Sequence, residues 1–287
     1  MAAFKKPRLL RARTRGGALA LVLWAGLCAG VTAHAGQGCE PGQPNPEKVA
    51  RALGLAETTL SALQELQQDE VVLIARVGQD LSKYQLHYSH MGFAVRQGER
   101  WTVVHKLNDC GTDQSQVFEQ GLLEFFADDV FKYEAGVWRL EPEVQARLMR
   151  TLQGKKSLDY HEPRYSMLAY PFSTQYQNSN GWLLEVLAYG LAPQDEANTR
   201  KSAQSWLKEA GYRPSELAIG TFTRLGARVT KANIAFDDHP SELRWSGRIQ
   251  TVTVDSVIDF LRKQPNGCLT KGCPSITVRW PAAQTRP

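Results

Sequence analysis

"YSHMGFAVRQGERWTVVHKL", residues 88–107, decides the fold. Apolar residues recur at every second position on both sides of Gln97-Gly98-Glu99, which predicts two strands joined by a hairpin turn. Period-two reading sets His90, Gly92 and Ala94 on one face and Met91, Phe93 and Val95 on the other. If Phe93 and Val95 mark the core side, His90 faces a more open side, with small neighbours leaving room beside its ring. His105 ends the partner strand. A turn centred near Gly98 sets it roughly opposite His90, offset by about one residue, so that two imidazoles meet across the ladder.

Working outward, "EVVLIARVG" (70–78) is a further strand, and a helix is expected over 47–67, entered through Asn45-Pro46. Val49, Leu53, Leu55, Leu60, Leu63 and Leu66 form its expected apolar face, with a break near Gly54. Downstream, 117–128 reads as more helix than strand, "VWRL" as a strand, and 141–154 as a helix begun at Pro142 and stopped at Gly154. Lys155 to Gln177 is a long ordered loop with "SMLAY" as a short strand, and long loops of this kind are often functional. "NGWLLEVLAYGL" and "ANTRKSAQSWLKEAGY" are helices. "LAIGTFTRLGARV", "ANIAFDD" and "LRWSGRIQTVTV" follow, and then the helix "DSVIDFLRKQ", capped by Asp255 or Thr253. There is no internal repeat and no low-complexity linker, which predicts a single α+β domain over 36–287.

Residues 1–35 stand apart. Six basic residues precede an apolar run from Ala18 to Val31 and the small-x-small site Ala33-His34-Ala35, the pattern of a signal peptide cut after Ala35. The run is shorter than the roughly 20 apolar residues of a spanning helix, so no membrane span is expected after cleavage, and the expected location is periplasmic or secreted. Cys28 follows Leu27, which is too large for a lipoprotein processing site. Without the leader, 28 Lys plus Arg face 29 Asp plus Glu. The basic balance of the whole chain therefore resides in the leader, and nucleic-acid binding, which needs a net basic surface, loses its support.

Cys39, Cys110, Cys268 and Cys273 remain, an even number in a chain sent to an oxidising compartment, where disulfides are the default. A local Cys268–Cys273 bridge is expected, leaving Cys39 with Cys110 among three possible connectivities. A zinc site would need a second close pair of soft ligands. No metal or other cofactor is expected.

"QNSNG" (177–181) poses the functional question, because Ser179 stands at the head of an apolar helix. Ser and Asn are strong N-cap residues, and capping alone explains them there. The same position suits a nucleophile: unsatisfied N–H groups and the helix dipole stabilise an anion, and a histidine on an adjacent strand can take its proton. His90 and His105 taken singly are more often structural histidines.

At "YSHMGFAVRQGERWTVVHKLN", "PRYSMLAYPFSTQYQNSNGW" and "ANIAFDDHPSELRWSGRIQTVTVDS" the chain resembles the bacterial secreted family designated domain of unknown function 2145. More remotely, "SHMGF", "VVH" and "NS", in that order, resemble the circularly permuted papain-like hydrolases and acyltransferases of the NlpC/P60 superfamily. That resemblance implies a permuted papain-like core, an antiparallel sheet packed against helices, with additional peripheral helices and strands. It implies Ser179 as nucleophile in place of the usual cysteine, His90 as its base and His105 as the orienting group, acting on an amide or ester in the cell envelope. A serine hydroxyl needs a base at the moment of attack where a thiolate does not. The competing expectation is a catalytically inactive protein that holds an envelope peptide, glycan or lipid in the same cleft.

Other candidates are weaker. Asp237-Asp238-His239-Pro240 suits a metal, but it is also ordinary turn chemistry. His161-Glu162 lacks a second histidine at helical spacing, and Pro163 breaks any helix there. His87 and His90 have opposite parity on a strand and do not chelate one ion.

Overall fold

The structure is a computed structural model that describes residues 45–281, apart from 129, 194–195 and 220–231. The expected leader and Cys39 lie outside the described residues. In chain order the elements are α1 (Pro46–Gln64), β1 (Val71–Val77), β2 (His90–Gln97), β3 (Arg100–Asn108), β4 (Ser115–Gly121), α2 (Leu122–Ala127), β5 (Lys132–Arg139) and α3 (Pro142–Gln153). There follow α4 (Ser179–Leu191), α5 (Arg200–Glu209), β6 (Ser215–Ala218), α6 (Ser241–Ser246), β7 (Arg248–Thr251), α7 (Val254–Leu261) and β8 (Ile276–Arg279). Six strands form one antiparallel sheet in the order β4-β3-β2-β1-β5-β8, and β6 pairs with β7 beside it. This is a mixed α+β fold with an antiparallel sheet packed against helices.

The hairpin of β2 and β3 turns at Gly98, whose φ of 65° lies in the left-handed region that glycine enters without strain. Its register, Phe93 opposite Val104, sets His105 across from Gly92, two residues along from His90 and not one. Glycine at 92 leaves room for the facing strand: a Cβ there would lie 2.6 Å from Cγ1 of Val103 and 3.1 Å from the Cβ of His105.

Helices cover both faces of the sheet. Met91, Phe93 and Val95 pack against Trp182, Leu183 and Leu187 of α4, with α3 and α7 beyond. Ala94, Trp101 and Val103 pack under α1 and under Phe125 and Phe126 of α2. The face of His90 is therefore a second core, not the open side expected from the alternation. A large apolar side chain fully buried in either layer contributes about 1.5–3 kcal/mol.

Several elements depart from the sequence reading. α1 runs unbroken through Gly54, which is there to admit the Trp280 indole: a Cβ at 54 would lie 2.3 Å from it. The buried stripe of α1 is Ala52, Leu55, Ala56, Thr59 and Leu63, while Val49 and Leu53 are 42% and 43% exposed. The segment 117–128 is edge strand β4 followed by the short helix α2, with Glu124 accepting from the Gly121 N–H at 2.8 Å. "SMLAY" is a turn tied to 233–238 through the Met167 N–H to Asn233 O (2.9 Å) and Ser166 Oγ to Ala235 O (3.1 Å). "LRWSG" ends helix α6 rather than opening a strand, and Thr253 caps α7. Part of "LAIGTFTRLGARV" lies outside the described residues. Cys268 and Cys273 form the expected bridge, and Cys110 is also disulfide-bonded.

Candidate functional site

The site is built on a parting of two strands. The β2–β3 ladder runs from the turn to Phe93 and Val104 and stops, although β2 stays paired with β1 to His90 and β3 with β4 to Asn108. The next hydrogen-bonded pair would join Met91 to Lys106. Instead the Met91 N–H donates to Oδ1 of Asn180, in the first turn of α4, at 3.2 Å, and Asn180 Nδ2 donates to Ser89 O at 3.3 Å. The Asn180 amide thus stands in for a strand and clasps the head of α4 to the backbone on both sides of His90.

His90 and His105 bridge the same parting. Nε2 of His90 lies 2.8 Å from Nδ1 of His105, whose Nε2 lies 2.8 Å from Oε1 of Gln120 on β4. The chain has a direction. A carbonyl oxygen only accepts, so His105 donates through Nε2 and accepts at Nδ1, and His90 donates through Nε2. Nδ1 of His90 is left as an acceptor with no partner among the described residues, on a half-buried residue. Burial pushes the His105 pKa down to about 3, aided by the Arg76 guanidinium and opposed by Gln120. Burial, then Arg76, then His105 hold His90 well below the usual imidazole range.

Each residue of the α4 head has its own task. Gln177 accepts from Lys106 Nζ (2.8 Å) and donates to Glu185 (2.5 Å), locking the loop end to β3 and to the α4 interior. Asn178 is the N-cap, accepting from the Gly181 N–H at 2.7 Å and donating to Met167 O, Thr251 Oγ1 and Val252 O. Ser179 is therefore not the cap: it is the first helical residue, 7% exposed. Its hydroxyl and N–H face the buried phenol of Tyr165, whose pKa burial raises and these two groups lower. The structure brings His90 and His105 together, sets the α4 head against the backbone of residues 89–91, and forms no hydrogen bond between Ser179 and either imidazole.

Sequence reading missed Asn180, Gln120, Arg76 and Tyr165. A charged residue in the apolar strand "VVLIARV" was a usable signal for Arg76; the others lie in ordinary polar contexts. His239 bonds Asp238 and Gln250 O, each at 2.8 Å, and Asp237 receives Gln175, so the Asp-Asp-His stretch ties loops together. Among the described residues no group of three or more His, Cys, Asp or Glu side chains is placed to hold a metal, and no helix is long and apolar enough to cross a membrane.

Residues 62–261 match the family described as an uncharacterised protein conserved in bacteria (DUF2145), and the chain belongs to that family. No curated protein and no solved structure matches it.

Proposed function

We propose that this is an exported envelope protein, periplasmic or secreted, with a permuted papain-like core that hydrolyses or transfers an acyl group at an amide or ester bond. The observation that carries this reading is the directed chain Gln120–His105–His90, which ends on an unpartnered Nδ1 at the parting where Asn180 clasps the head of α4. In the reaction, Ser179 Oγ turns from Tyr165 and gives its proton to Nδ1 of His90 as it bonds the acyl carbon. The oxyanion forms against the Asn180 N–H in the first turn of α4. Collapse expels the amine or alcohol, which takes the proton back from His90, and water or an acceptor nucleophile then releases the acyl group by the same steps in reverse.

A specific observation favours a second reading. The Ser179 hydroxyl already faces Tyr165, and burial beside Arg76 opposes the imidazolium that base catalysis forms. Both suit a catalytically inactive protein that holds an envelope peptide, glycan or lipid. A serine-reactive fluorophosphonate separates the two. The acyl reading expects labelling of the wild-type chain that maps to Ser179 and is absent from Ser179→Ala. No labelling, or equal labelling of both, supports the binding reading.

A further inference from the structure

Arg76 lies directly opposite His90 in the β1–β2 ladder, so the two side chains project to the same face. It is 4% exposed and buried beneath α2, where it donates to the Phe125 carbonyl and, at 2.6 Å, to Asp128. Its guanidinium stands 5.0 Å from the centre of the Phe125 ring, and the same ring is 5.9 Å from the His90 imidazole and 5.2 Å from that of His105. Three groups able to carry positive charge thus share one apolar compartment. The groups around the imidazoles are Arg76 from β1, neutral Gln120 from β4, Phe125 of α2 and Asp128 beyond it, with the neutral Asn180 amide on the backbone either side of His90. The carboxylate among them, Asp128, is committed to the guanidinium.

A permanent cation in such a compartment excludes a second one. We propose that Arg76 is a positioning residue acting through charge: its guanidinium keeps both imidazoles neutral and in one tautomer chain, so that Nδ1 of His90 stays an unprotonated acceptor. The catalytic meaning of this inference rests on the acyl reading; the tautomer itself does not.

The test is long-range 1H–15N correlation NMR of the full chain, labelled at its histidine nitrogens and titrated from pH 8 to 5. In the wild type both imidazoles are expected to stay neutral, with Nδ1 of His90 unprotonated. In Arg76→Met/Asp128→Asn, which removes the charge together with its partner, at least one of the pair is expected to take up a proton within this range, where neither does in the wild type. Arg76→Lys is expected to restore the wild-type behaviour. A folded double variant with an unchanged titration, or a wild-type His90 protonated at Nδ1, overturns the proposal. If the double variant does not fold, Asp128→Asn alone serves: with the guanidinium kept, the pair is expected to remain neutral, and a raised midpoint overturns the proposal. The same titration in Ser179→Ala is expected to match the wild type, so a failed acyl reading leaves this result standing.

Discussion

Nε2 of His90 lies 2.8 Å from Nδ1 of His105 at the place where the backbone ladder between their strands has ended. Side chains carry the connection there: the imidazoles cross the parting on one side, and the Asn180 amide fills it on the other. The two expectations below follow from that substitution of side chains for ladder.

Asn180→Ala leaves the Met91 N–H and the Ser89 carbonyl without their partner in a buried setting. An unsatisfied buried group costs about 1–3 kcal/mol, so the unfolding free energy falls by that amount, read as a lower urea midpoint, and the Met91 amide exchanges faster. Asn180→Asp keeps the acceptor for Met91 but loses the donor to Ser89. It is expected to fall between the wild type and Asn180→Ala in exchange at Met91.

The imidazole pair makes stability depend on acid. Both folded pKa values lie below the unfolded value of about 6.5, His105 at about 3. Below about pH 6.5 the unfolded chain takes up protons that the native chain refuses. The stabilisation is therefore complete above that pH and declines as pH falls toward the folded values, by up to about 1.4 kcal/mol per pH unit for each ring. Denaturant titrations at pH 7, 6 and 5 measure the slope. Replacing His105 with Gln is expected to reduce it, and an unchanged slope contradicts the assignment.

Gln177 joins Lys106, Glu162, Tyr160 and Glu185 through one amide. Gln177→Ala strips partners from the buried Lys106 amine, whose pKa burial pushes down to about 6, and from the buried Glu185 carboxyl. The expected cost is about 1–3 kcal/mol, together with faster proteolysis within the loop 155–177 that Gln177 ends.

Removing the Cys268–Cys273 bridge with a double serine substitution opens a short loop. Chain-entropy reasoning puts the loss at about 2 kcal/mol, read as a lower unfolding midpoint under non-reducing conditions. A loss this small leaves the main sheet and its site folded.

The hairpin was legible because a two-residue alternation on both sides of Gly98 has few other meanings, and the meeting of His90 and His105 across it was legible with it. The sidedness of His90 was not. Alternation separates two faces without telling which is covered, and this sheet is covered on both. The α1 stripe differs from the pattern of large apolar residues because Ala52, Ala56 and Thr59 make its close contacts, while the larger Val49 and Leu53 point outward. β4 reads as helix in the sequence because its half-exposed edge blurs the strand period and runs directly into the apolar α2. Asn180 lay in full view beside Ser179, but its partners are 89 and 91 residues away in sequence. No local pattern announces a side chain that replaces a missing ladder pair.

The most direct test of the central claim, that His90 serves the residue at position 179, is the pH profile of iodoacetamide alkylation in Ser179→Cys, beside the same change in a His90→Gln background. The account expects the thiol at 179 to react faster than free cysteine near neutral pH and to slow when His90 is replaced. Slow alkylation that ignores the His90 substitution contradicts it.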